Sequence, residues 1–128
     1  MLFADFVKNI IASENIALKS DGSAMRPFCY LEDATIAFFT VLLKGENNQA
    51  YNIANPDQSM TIKSLANTLV SLFPEKNLKV VISSQSKNYS QSKIKSQIPD
   101  ISKINSLGWS PKTTIEDGFK KTIESYLI

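Results

Sequence analysis

A small mixed α/β unit, with elements in the order α-β-α-β-α-β-α-α, is the fold class this sequence predicts. Apolar residues recur at helical spacing in several segments, and short runs rich in β-formers separate them. Gly, Pro and Asp-rich punctuation falls between the runs. Alternating elements favour a mixed α/β arrangement. The predicted strands are few and short, so a sheet built from them alone would be small, as in a piece of a larger fold.

Leu2, Phe3, Phe6, Val7, Ile10 and Ile11 fall on one side of a first helix, which Ser13 to Asn15 interrupt. Ile16 to Lys19 follows as a strand, Asp21-Gly22 as a turn, and Pro27 drives Arg26 out of the helical region. A second helix begins at Glu32 or Asp33, where acidic groups suit the positive end of the dipole, and stops at Lys44-Gly45. Gln49 to Ala54 is a predicted strand and Asn55-Pro56-Asp57 a turn. Thr61 is the expected N-cap of a third helix that Pro74 ends. Lys79 to Ser83 is a predicted strand, and the polar stretch 84–97 a long loop. Asp100 starts a short helix closed by Gly108, and Thr113 with Glu116 forms the capping box of the last one.

Bulk composition closes off several functions. The 128 residues carry 14 basic and 12 acidic side chains, a net charge of +2, which offers no field for nucleic acid or an anionic membrane. The longest apolar runs, such as Ile36 to Leu43, are far short of the roughly 18 residues of a membrane span. Leu2 to Ala12 contains Asp5, Lys8 and Asn9 and does not look like a signal peptide, so the expected location is cytoplasmic. Cys29 is the single cysteine and is expected to act as a small buried hydrophobe. Histidine is absent, which removes Ser-His-Asp triads, His-ligated zinc and imidazole acid/base chemistry.

The four glycines, at 22, 45, 108 and 118, are isolated, so no segment can bring its backbone against a pyrophosphate as a dinucleotide-binding turn does. The carboxylate pairs Glu32-Asp33 and Glu116-Asp117 lie at predicted helix N-termini, where the dipole accounts for them without catalysis. No catalytic residue, cofactor-binding residue or metal ligand is therefore assigned within the chain.

Four blocks carry a resemblance. Residues 20–34, Ser-Asp-Gly-Ser-Ala-Met-Arg-Pro-Phe-Cys-Tyr-Leu-Glu-Asp-Ala, resemble the G-D-G-S-x-x-R-D-F-x-Y-V-x-D segment of extended short-chain dehydrogenases/reductases, the NAD-dependent nucleotide-sugar epimerases and dehydratases. Ala50 to Ala54 resembles that family's Y-N-I-G strand, and Met60 to Ala66 its T-I-x-E-L-A helix start. Residues 99–112 resemble D-x-S-K-x-x-x-L-G-W-x-P, and Ile115 to Tyr126 the closing helix. Together the blocks run through essentially the whole chain in the family's order. The Leu107-Gly108-Trp109-Ser110-Pro111 block is a packing device: a left-handed helix end, an apolar anchor and a helix stop.

Arg26 is the one arginine among 14 basic side chains. A planar guanidinium grips phosphate oxygens in a fork that an ammonium cannot imitate, and the resemblance implies contact with the diphosphate of a nucleotide sugar. A structural Arg, paired with Asp33 or capping a carbonyl, is the alternative. The chain departs from the family at Pro27, where an Asp is usual, and near Ser90, where a second phosphate-binding arginine would fall. Lys87, Lys93 or Lys95 can supply charge there and Tyr89 a stacking or hydrogen-bonding group, so the expected substrate-binding set is Arg26, Tyr89 and Lys93.

The resemblance implies the C-terminal, substrate-binding portion of an NAD-dependent epimerase/dehydratase lacking most of the Rossmann sheet. NAD and the catalytic Tyr-x-x-x-Lys pair would belong to the absent N-terminal domain. Tyr89 and Lys93 have that spacing but fall in the polar loop. Expected partners are a nucleotide-diphosphate sugar and the missing NAD-binding domain, with self-association of the isolated segment through the apolar surface that domain would cover. A non-catalytic sugar-nucleotide-binding or regulatory module and a structural remnant of a truncated gene remain as other readings.

Overall fold

The computed structural model describes residues 2–83 and 96–127. Among these residues are five α-helices, α1 (Leu2–Ile11), α2 (Leu31–Lys44), α3 (Ile62–Ser71), α4 (Ser102–Asn105) and α5 (Ile115–Glu124), two short 3-10 helices (Pro56–Gln58 and Pro74–Lys76) and four three-residue strands. The strands are β1 (Ile16–Leu18), β2 (Met25–Pro27), β3 (Ser59–Thr61) and β4 (Val80–Ile82). β1 pairs in parallel with β4, Ala17 opposite Val81, and β2 pairs antiparallel with β3, Arg26 opposite Met60. The architecture is mixed α/β with two small sheets, as the alternation of elements predicts.

The helical faces expected from periodicity make the main core. Phe6 and Ile10 of α1, Ile16 and Leu18 of β1, Leu65, Ala66 and Leu69 of α3, and Ile115 and Ile123 of α5 are buried together. These helices cover the face of the parallel pair that carries Ile16 and Leu18, whereas Ala17, Val81 and Ile82 on the pair are exposed. A second, smaller cluster joins Ala37 of α2 to Ile104 of α4 and Trp109, with Cys29, Val41, Tyr51 and Ile53 packed around it.

Several boundaries differ from expectation. No strand forms at 49–54: among the described residues no strand pairs with this segment, and side chains fix it instead, with Asn52 Nδ2 donating to the Asp100 carbonyl at 3.0 Å and Asn55 Nδ2 to that of Thr113 at 3.2 Å. β2 and β3 were not expected, because three-residue strands leave almost no period to read. The N-cap of α5 is Thr114, one residue later than predicted. Thr114 Oγ1 accepts from Asp117 N at 3.1 Å and donates to the Asp117 carboxylate at 2.9 Å. Thr61 caps α3 as expected, accepting from Ser64 N at 3.0 Å. Gly108 has φ +89°, the left-handed conformation expected of it.

Candidate functional site

The segment that carries Arg26 is fixed from three directions. Gly22, at φ +70°, makes the turn before it, and a Cβ there would lie 2.8 Å from the Lys63 Cβ and 2.9 Å from its nitrogen. Only glycine lets the turn approach the first residues of α3 this closely. The amides of Ile62 and Lys63, free at a helix N-terminus, donate to the Ala24 and Gly22 carbonyls at 3.1 and 3.0 Å. Asp21 closes the turn, accepting from the Ser23 amide and hydroxyl at 3.0 and 2.8 Å. On the far side Met25 forms a parallel bridge with Ser96.

Arg26 itself is half-buried on β2, and its Nη1 donates to the Met25 carbonyl at 2.6 Å. Carbonyl capping, one of the two structural roles weighed for this residue, is therefore present. Tyr89 and Lys93, with Lys87 and Lys95, lie outside the described residues.

Asp33 proves more than an acidic residue at a helix start. It is 4% exposed, and its Oδ2 accepts from the backbone N–H of Lys112 at 3.1 Å and Thr113 at 2.8 Å. Its own carbonyl accepts from Trp109 Nε1 at 3.0 Å. Two of the sequence blocks, around Asp33 and around Trp109, are thus each other's partner. The signal available in the sequence was their co-occurrence, not either block's local pattern.

Beside this tie lies an apolar cavity of about 340 Å³ between Phe3, Phe28, Tyr30, Leu31, Ile115 and Phe119. Phe28 stands edge-on between Phe3, at 5.0 Å between ring centroids, and Phe119, at 6.3 Å. Gly118 brings α5 against the Tyr30 ring, where a Cβ would be 3.0 Å from Cδ2. Cys29 lines the same cavity; burial pushes its thiol up, and the nearby Asp33 charge adds to the shift. Among the described residues no carboxylate or ammonium lines the cavity, and Arg26 is not part of its lining. Among the described residues there is no cluster of three or more His, Cys, Asp or Glu side chains able to hold a metal, and no helix long and apolar enough to cross a membrane. Among the described residues that line this cavity there is no acid/base or nucleophilic pair.

Residues 1–54 match the NAD dependent epimerase/dehydratase family. Similarity to individual members runs further along the chain. The dTDP-D-glucose 4,6-dehydratase of Mus musculus is 34% identical over 128 residues, covering 94% of this chain and 34% of the mouse protein. The human dTDP-D-glucose 4,6-dehydratase is 31% identical, covering 94% and 35% respectively. Among solved structures, the UDP-glucose 4-epimerase of Thermotoga maritima with UDP-glucose superimposes with a TM-score of 0.82 at 25% identity, over 99% of this chain and 39% of the epimerase. The dTDP-glucose 4,6-dehydratase of Bacillus anthracis in complex with NAD shares the fold at a TM-score of 0.78. The chain spans about a third of the length of these dehydratases. Its mixed α/β fold corresponds to a portion of the epimerase/dehydratase fold.

Proposed function

We propose that this chain is the C-terminal, sugar-nucleotide-binding portion of an NAD-dependent nucleotide-sugar epimerase or dehydratase. The observation that supports this reading best is superposition of nearly the whole chain on two-fifths of a UDP-glucose 4-epimerase. The parent enzyme would work in the cytoplasm through a 4-keto sugar intermediate, in the synthesis of sugars for surface polysaccharide.

The residues of this chain do not fit NAD. Its four glycines are isolated, and the closely approached one, Gly22, receives α3 rather than opening onto a ligand. Dinucleotide binding is accordingly assigned to the remainder of the parent enzyme, and the chemistry at the sugar with it. The apolar side of α2 is then the surface on which that remainder packs: Leu31, Phe38, Phe39, Leu42 and Leu43 all point to solvent.

This chain's own contribution is to hold the nucleotide sugar. Arg26 is the phosphate ligand in this reading, a fork held on β2 by β3 and by the Gly22 turn. Tyr89 and Lys93, outside the described residues, complete the expected set.

The test is calorimetric titration of UDP-glucose and dTDP-glucose into the wild type, Arg26→Lys and Arg26→Ala. Loss of a charge-assisted bidentate contact corresponds to about 1.5–3 kcal/mol, so binding should weaken roughly 10- to 100-fold in Arg26→Ala and less in Arg26→Lys. Equal affinity of all three proteins would end the phosphate role of Arg26, and absence of binding to any of them would remove the sugar-nucleotide reading of the isolated chain.

A further inference from the structure

One side of α2 is broadly apolar and exposed among the described residues. Ala37 and Val41 face the second core cluster and Asp33 faces the 109–113 segment. The opposite side presents Leu31, Ile36, Phe38, Phe39, Leu42 and Leu43, between 51% and 78% exposed. At 100° per residue these six cover a sector of about 160°, wider than the apolar stripe of an ordinary surface helix. Glu32 and Thr35 are the polar residues that share that sector.

We propose that the chain by itself forms a two-fold dimer in which α2 packs antiparallel on α2 of a second copy. Area is the first argument. Large apolar side chains of roughly 150–200 Å², exposed to this extent, present on the order of 600–800 Å². That approaches the ~800 Å² each partner contributes to a standard interface and exceeds the ~300–600 Å² typical of the largest patch on a monomer. Geometry is the second. A two-fold axis lets one patch cover itself, and antiparallel helices set opposite dipole ends side by side. With the axis between Phe38 and Phe39, Phe38 of one copy meets Phe39 of the other and Thr35 meets Leu42. The charges near the seam do not oppose this: Glu32 already lies 3.9 Å from Lys121, and Lys44 Nζ donates to the Leu107 carbonyl at 3.4 Å. The same face is assigned above to the rest of the parent enzyme, so the two occupants exclude each other, but the dimer is tested without any nucleotide sugar.

Sedimentation equilibrium should show the 128-residue chain passing from monomer to dimer with concentration, and no further. Phe38→Glu/Leu42→Glu should stay monomeric throughout, whereas Val81→Glu/Ile82→Glu, which changes exposed apolar residues on β4, should dimerise like the wild type. Register is read by oxidation in a Cys29→Ser background. A mixture of Thr35→Cys and Leu42→Cys chains should cross-link to the heterodimer, while each alone should cross-link far less. A wild type that remains monomeric, assembly beyond the dimer, association insensitive to the α2 pair, or Thr35→Cys chains that cross-link equally well to themselves would each overturn the proposal. The cross-linking arm decides the matter should the charged pair fail to fold.

Discussion

Asp33 occupies a position where a carboxylate is costly to bury and more costly to lose. Its Oδ2 receives two backbone N–H groups from a strap of chain nearly 80 positions away. Asp33→Ala should lower unfolding free energy by about 2–4 kcal/mol, seen as a lower urea midpoint with little change in slope. Asp33→Asn, which keeps a carbonyl acceptor, should lose about half of that. An alanine variant as stable as the wild type would show that the strap finds water instead. Cys29 gives a second reading of the same place. Its thiol is raised by burial and then by the Asp33 charge, so folding favours the protonated form. The stabilisation is therefore complete below the ordinary thiol pKa and is lost as pH rises through the folded value. Alkylation of Cys29 should lag behind that of a free thiol at neutral pH, and Asp33→Asn should shift its pH profile downward. A profile identical to that of free cysteine would contradict the burial.

At the scale of elements, caps separate what local pattern can specify from what it cannot. Thr61 was legible because its side chain answers only to the three residues that follow it. At the start of α5 two threonines compete, and the winner is decided elsewhere: the amide of Thr113 is drawn to Asp33, so the helix begins with Thr114 as its cap. Thr114→Ala should thus cost about 1 kcal/mol and Thr113→Ala much less, by the same urea measurement. Equal losses would restore Thr113 as a partner in the cap. The unexpected strands β2 and β3 have the same cause, for a three-residue pairing is made by tertiary approach around the Gly22 turn, which no periodicity announces. The missing strand at 49–54 is the converse: its alternation is suitable, but a strand needs a neighbour. Asp100 shows a pH effect confined to one element. It accepts from the Ser102 amide at 2.8 Å, which holds its carboxyl below the usual carboxylate range. Its support of α4 is present above the ordinary carboxylate pKa and fades as pH falls through the folded value, so Asp100→Asn should remove the acid dependence of amide exchange in α4.

Across the whole molecule, Gly108 and Trp109 act as the helix end and apolar anchor that their block suggests, whereas the path between blocks had to come from contacts. Those contacts are unevenly shared. Phe6, Ile10, Leu65, Leu69 and Ile123 belong to one core joining α1, α3, α5 and β1, whereas α2 and α4 rest on Ala37, Ile104, Trp109 and the Asp33 strap, with one side of α2 in water. The start of α2 also lacks a side-chain cap. Local stability follows buried apolar contact, so α2 and α4 should open without the rest of the molecule. In native-state hydrogen exchange on the monomeric Phe38→Glu/Leu42→Glu protein, where no second copy protects α2, the amides of Ala37 to Val41 should exchange at a lower free energy than those of Leu65 to Leu69. The emission of Trp109, the only tryptophan, should move to the red at a urea concentration below that of the main loss of ellipticity. Coincident transitions, with α2 protected to the same extent as α3, would mean that the Asp33–Trp109 tie binds both clusters into one cooperative unit.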